Sequence, residues 1–327
     1  MELPDEFTPR RLGRRALPVL VLIAVAAAIL AFAPGLGEVR DRFRGADPAW
    51  LALGVGLEAL SCVSYVVLFR PVFCARMSWR TSWEISWAEL GVGSLVPASG
   101  AAGVALGAWV LHRDGMPADR IARRSVAFLE IKSAVNFAAV AVIGTAMALG
   151  VGPHQSLALT ALPAGLSVAA MAAVGAVRRL GPGEPDGGKL SAARRALVTG
   201  TGEAVKIIRS RDPLVFAGAI GYWAFDNAVL WATYHAFGDV PPLTIILMGY
   251  LIGQIGGLLP IPGGIGGIDG GLIGTLIVYG APVAPTVAAV LAYRVILFWL
   301  PLLGGAAAFV SLRRGLNHPQ RPDLCPA

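Results

Sequence analysis

Ionisable side chains at Glu58, Glu130, Lys132, Asp226, Asp269 and Arg294 lie inside long apolar stretches of the chain. Charge at bilayer depth is costly, so such residues default to functional candidates. Arg294 falls near the middle of the last apolar stretch, and Glu130 takes a comparable place in the first half of the chain. Arginine stays charged and can grip a phosphate through two parallel N–H donors. The two residues are therefore expected to approach each other or to share a polar cavity, with a structural ion pair as the competing reading. Asp226 follows Tyr222 by four residues and precedes Thr233 by seven, so all three fall on one helical stripe. That stripe reads as a polar track facing a bundle interior or as a hydrogen-bonded helix contact. Asp269 follows a Pro-Gly turn and is placed to cap or start a half-helix. Glu58 and Lys132 fit packing pairs, and Gln254 is a weaker polar candidate beside the same turn.

Other chemistries lack residues to carry them. Cys62, Cys74 and Cys325 match no zinc or disulfide spacing and read as reduced, structural cysteines. His112, His154, His235 and His318 are scattered, and no HExxH or His/Cys cluster occurs. There is no P-loop, and no nucleophile with an adjacent acid and histidine cluster. The expectation is a chain that is not an enzyme, with no metal and no cofactor.

The elements that must position these residues are set by composition. The chain has 327 residues, 56% hydrophobic and only 14% charged, with a mean hydropathy of +0.67. Soluble domains carry about 25% charged residues. The formal charge of +7 could point to nucleic acid, but Lys and Arg sit in short loops between apolar runs. That is the pattern of positive-inside orientation and of contact with anionic lipid. Apolar runs at about 17 to 33, 49 to 69, 125 to 149, 157 to 177, 214 to 237 and 286 to 312 read as spans, the first as a retained helix rather than a signal peptide. Both termini are expected in the cytoplasm of a multi-pass cell-membrane protein.

Two apolar stretches are broken. Residues 85 to 111 are interrupted around Pro97 and Gly100, with basic loops on both flanks; each half is too short for a core needing about 20 residues. This predicts a re-entrant pair of half-helices. Residues 243 to 280 are interrupted at Pro260, Pro262, Gly263 and Gly264, and fit either a second re-entrant pair or two full crossings. The two breaks resemble each other in sequence, and their predicted entry sides are opposite. Gly/Pro-interrupted segments at corresponding positions of two inverted halves point to a transporter's central site, because irregular backbone at membrane depth needs protein or a watery cavity to satisfy it. Half-helix N-termini there would offer partial positive charge to an anion. Close packing through Gly266-x-x-x-Gly270 and Gly270-x-x-x-Gly274 is the alternative account of the later glycines. Between the halves, residues 178 to 212 form a basic linker whose stretch 191 to 208 reads either as an amphipathic membrane-surface helix or as a solvated connection.

At these residues the chain resembles the flippase-like, lysylphosphatidylglycerol synthase transmembrane-region family, the membrane half of the multiple peptide resistance factor and its stand-alone relatives. The resemblance rests on Leu95-Val96-Pro97 with Gly100 and Gly103, then Leu111 to Gly115. It continues through Leu259-Pro260-Ile261-Pro262-Gly263-Gly264-Ile265-Gly266 with Asp269, and through Ala292-Tyr293-Arg294 with Trp299, Pro301 and Gly304. No segment outside the apolar runs is long enough for the aminoacyl-transferase domain of the fused synthases, so lipid aminoacylation is not expected. What the resemblance implies is movement of a lipid or lipid-linked headgroup between leaflets.

The resulting expectation is an all-α, polytopic integral membrane protein of two inverted halves: residues 1–177, a linker 178–212, a second half 213–314 and a tail 315–327. It would act as a flippase- or scramblase-type transporter of a phospholipid or polyprenyl-linked lipid, with no nucleic acid partner and oligomerisation left open. An intramembrane lipid-modifying enzyme and a non-transporting envelope scaffold are the alternatives. Expected substrate contacts are Arg294, Glu130, Asp226, Tyr222, Asp269, Pro97, Gly100, Pro260, Pro262, Gly263 and Gly264.

Overall fold

The computed structural model describes residues 36–95, 101–181, 188–253 and 267–316, with scattered helical positions between 17 and 32. All regular structure among the described residues is helical. In order the helices are α1 (Gly37–Arg44), α2 (Pro48–Phe73), α3 (Trp79–Leu95), α4 (Ala101–Arg113), α5 (Ala118–Ala148), α6 (Leu157–Val177), α7 (Gly188–Arg209), α8 (Pro213–Phe237), α9 (Leu243–Gly253), α10 (Gly267–Val278) and α11 (Val283–Leu316). The Pro-Gly breaks, including Pro97, Gly100, Pro260, Pro262, Gly263 and Gly264, lie outside the described residues, as does Gln254.

Local sequence explains the helix boundaries. Two helices start at an Asp-Pro pair: Asp47 accepts from the Ala49 amide at 2.8 Å and Asp212 from the Leu214 amide at 2.9 Å. The aspartate satisfies an orphan donor, and the proline at the first helical position has no N–H to lose. Ser78 caps α3 by accepting from the Thr81 amide at 3.1 Å. Gly115 ends α4 at φ 95°, with Met116 N bonding Leu111 O and Gly115 N bonding His112 O. This left-handed cap favours glycine, and it gives the Leu111 to Gly115 motif a structural role.

The helices α2, α5, α6, α8 and α11 are each long and apolar enough to cross a membrane. The outer surface fits lipid rather than water. On α6 the buried residues are Thr160, Ala164 and Ser167, while Leu157, Leu162, Leu166 and Val168 are exposed. Small residues face inward to let helices pack and large apolar ones face out, as in bilayer-embedded helices. The chain is thus an all-α polytopic membrane protein. The broken stretches give shorter helices. At 1.5 Å per residue, α9 with 11 residues and α10 with 12 reach about 16 and 18 Å, roughly half of a 30 Å core.

The chain divides into two compact units. Unit one holds residues 1–59, 88–106 and 225–307; unit two holds 60–87, 107–224 and 308–327. Helices α2, α3, α4, α8 and α11 contribute residues to both.

Unit one is built on buried tyrosines of α8 and α11. Tyr234 donates to Thr286 Oγ1 at 2.9 Å, both fully buried. At the end of α8, Arg42 of α1 donates to the Phe237 carbonyl at 3.0 Å and pairs with Asp239 at 2.7 Å. His235 stacks on Trp50 with ring centroids 4.4 Å apart. Unit two packs Tyr65, Phe69 and Phe73 of α2 around Phe128 of α5. Within it α7 is no bare connection. It packs on α5 and α6, and Gly200 lies so close to Val126 that a Cβ would meet that side chain at 2.5 Å.

Candidate functional site

In unit one, polar groups from four helices meet among apolar side chains. Asp226, on α8, is buried at 7% exposure. Its Oδ1 accepts from the Tyr293 hydroxyl of α11 at 2.8 Å, and its Oδ2 accepts from the Tyr250 hydroxyl of α9. Both tyrosines are buried. A carboxylate far from water costs several kcal/mol unless hydrogen-bonded; here each oxygen has a phenolic donor.

The residue after Tyr293 makes the second tie. Arg294 Nε lies 2.5 Å from Asp269 Oδ1, and the two side chains are 19% and 14% exposed. Successive residues of a helix point about 100° apart, so α11 sends Tyr293 to Asp226 and Arg294 to Asp269. Asp269 stands in the first turn of α10, where the helix dipole favours a negative charge. The expectation that Asp269 sits at the start of a half-helix agrees with this position.

The consequence is mechanical as well as electrostatic. Helices α9 and α10 form the two arms around the second Pro-Gly break and pack closely. A Cβ on Gly253 would come 2.6 Å from Leu272 Cα, and one on Gly249 would run into the Leu276 side chain. The α9 arm is tied to Asp226 through Tyr250, and the α10 arm to Arg294 through Asp269. The first broken segment shows a similar close approach within this unit: a Cβ on Gly103 would run into the Glu89 carbonyl. Glu89 and Glu58 are further buried carboxylates of unit one, at 3% and 5% exposure.

Glu130, Lys132 and Tyr222 lie in unit two, and Thr233 in unit one. Glu130 Oε1 sits 2.6 Å from Thr201 Oγ1 of α7, and that hydroxyl is also 2.8 Å from the Leu197 carbonyl. One hydroxyl hydrogen cannot serve both acceptors at once. Arg124 bridges three elements, with Nη2 3.4 Å from Glu203 of α7 and Nη1 donating to the Val72 carbonyl near the end of α2 at 2.9 Å. The Lys132 ammonium lies 5.3 Å from the Tyr222 ring and 5.7 Å from the Tyr65 ring, within cation–π range. Tyr222, read from the sequence as a companion of Asp226, thus places its ring with Lys132. Thr233 donates to the Leu230 carbonyl of its own helix at 2.8 Å. Arg294 and Glu130, expected together, each have a partner within their own unit.

Sequence reasoning missed the tyrosine partners of Asp226. Tyr293 stands inside the Ala292-Tyr293-Arg294 motif without a role of its own in the sequence reading, and nothing marks Tyr250 within an apolar run. Thr201 and Glu203 were missed because 178 to 212 was treated as a linker. Cys62 is buried and outside any disulfide. Among the described residues no group of His, Cys, Asp and Glu is arranged to hold a metal.

Membrane-crossing helices around a polar cluster, with two short apolar helices tied into it, define a polytopic membrane protein with a polar centre inside its apolar helices. Residues 19–305 match the family model described as the lysylphosphatidylglycerol synthase TM region, and the chain belongs to this family. A search of curated proteins finds no match. Family membership ties the chain to a membrane-lipid function.

Proposed function

We propose that the protein moves a phospholipid-like or polyprenyl-linked lipid between leaflets, passing the headgroup by the polar centre while the acyl tails stay in lipid. The observation that carries this reading is the Arg294–Asp269 pair. It ties α10, an arm of the broken hairpin, to α11, and it keeps some exposure within an apolar helix bundle. A lipid phosphate is the kind of group an arginine fork binds bidentately. A phosphate arriving at Arg294 competes with Asp269, and that exchange loosens the α10 arm. Asp226 with its two tyrosines holds the α9 arm in register meanwhile. Half-helix lengths on both sides of the second break suit a headgroup path better than full crossings do.

Leaflet exchange of headgroup-labelled lipids by the purified protein in proteoliposomes tests the reading. Exchange above that of protein-free vesicles, and its loss in the folded double variant Arg294→Leu/Asp269→Leu, is expected. No exchange across anionic, aminoacylated and polyprenyl-linked lipids would defeat it.

A further inference from the structure

Helix α7 carries features that its packing does not use. Leu190, Leu197 and Ile208 are 84%, 43% and 38% exposed. At about 100° per residue, their separations of seven and eleven residues return each to within about 20° of the same stripe. Buried Ala204 falls within that stripe, with buried Thr201 about 40° to one side and buried Gly200 and Ile207 about 60–80° to the other, so the three exposed side chains flank the contact with α5 along the helix. Arg194 lies beside the apolar stripe and is exposed, and Arg209 and Arg211 are exposed at the end of the helix. The acid of α7, Glu203, is already engaged by Arg124 and Lys206. The placement is set by connectivity: α7 ends at Arg209 and the membrane-crossing α8 begins at Pro213, so the C-terminal end of α7 is held at the bilayer surface.

A row of large apolar side chains bordered by arginines, fixed at that depth, matches a leaflet with acyl chains below and negative headgroups above. We infer that α7 is an interfacial helix that seats Leu190, Leu197 and Ile208 in the bilayer and binds anionic phospholipid headgroups through Arg194, Arg209 and Arg211. A soluble partner protein would not need the stripe to lie beside a span, and charge complementarity selects the lipid. The inference rests on membrane residence and stands whether or not the protein moves lipid.

The test uses the full chain in phosphatidylcholine vesicles with and without phosphatidylglycerol. Nitroxide labels on Leu197→Cys and Ile208→Cys, with label on the wild type subtracted, should collide with oxygen more than with an aqueous nickel complex. Lys206→Cys, about 160° from the stripe on the helix, should show the reverse. Equal aqueous exposure at all three sites would overturn the seating. A photoreactive phosphatidylglycerol should cross-link to segment 188–212. The variant Arg194→Ser/Arg209→Ser/Arg211→Ser should lower that yield about tenfold or more without changing the yield of a photoreactive phosphatidylcholine. An unchanged phosphatidylglycerol yield would overturn the headgroup assignment.

Discussion

Asp226 shows how a charged residue is held inside an apolar bundle. Two phenols, one from α9 and one from α11, donate to its two oxygens, so losing either tyrosine hydroxyl takes a donor away from a buried carboxylate. Tyr293→Phe is expected to destabilise the protein by about 1–3 kcal/mol, the usual cost of an unsatisfied buried group, seen as a lower thermal midpoint in detergent. An unchanged midpoint would mean that the bond contributes nothing. Glu130 poses a different problem, because Thr201 has one hydrogen for two acceptors. A donor at position 130 would resolve it, giving a chain from residue 130 to Thr201 to the Leu197 carbonyl. Glu130→Gln supplies that donor and should keep the stability within about 0.5 kcal/mol, while Glu130→Leu removes the bond and should cost about 1 kcal/mol or more. Equal midpoints for the two variants would show that the α5–α7 contact does not depend on this bond.

At the scale of elements, the glycines separate by what faces them. Gly253 abuts Leu272 backbone, whereas Gly270 and Gly274 have nothing within 4 Å among the described residues. Among those residues the small-residue pattern on α10 does not serve packing at these two positions. Gly253→Val should spread the hairpin and lower the thermal midpoint by several degrees, as overpacking against backbone costs about 1–3 kcal/mol. Gly270→Ala should leave the midpoint unchanged or raise it slightly through helix propensity. If both behaved alike, the close approach of α9 and α10 would not be a feature of the folded protein. The spans were legible because each needs a long apolar run: the runs read at 49 to 69, 157 to 177 and 214 to 237 recur as α2, α6 and α8. The docking of α7 was not legible, because its inner face is made of small residues such as Gly200, Thr201 and Ala204, which carry no hydrophobic periodicity.

For the whole molecule, the ionisable residues announced themselves by being in the wrong solvent, and that logic found Asp226, Asp269 and Arg294. It could not find their partners. Tyr250 and Tyr293 lie 24 and 67 residues from Asp226, and a buried tyrosine is indistinguishable in sequence from any other apolar core residue. The same limit applies to Arg294 and Glu130: position along a span says how deep a charge sits, not that Asp269 and Thr201 are neighbours of theirs. Three of the long spans, α2, α8 and α11, contribute residues to both compact units, so position along the sequence alone does not show which side chains share a unit.

The measurement that bears most directly on the central claim is leaflet exchange by the double variant Arg294→Leu/Asp269→Leu beside the wild type. Replacing both members of a buried ion pair with apolar residues is often neutral or stabilising, whereas removing one leaves an uncompensated charge. The double variant should therefore fold with a thermal midpoint close to that of the wild type. Because Arg294 is held to meet the headgroup, its exchange should fall to the rate of protein-free vesicles. Exchange at the wild-type rate by a folded double variant would show that the pair only fixes helix packing and that the headgroup does not pass it.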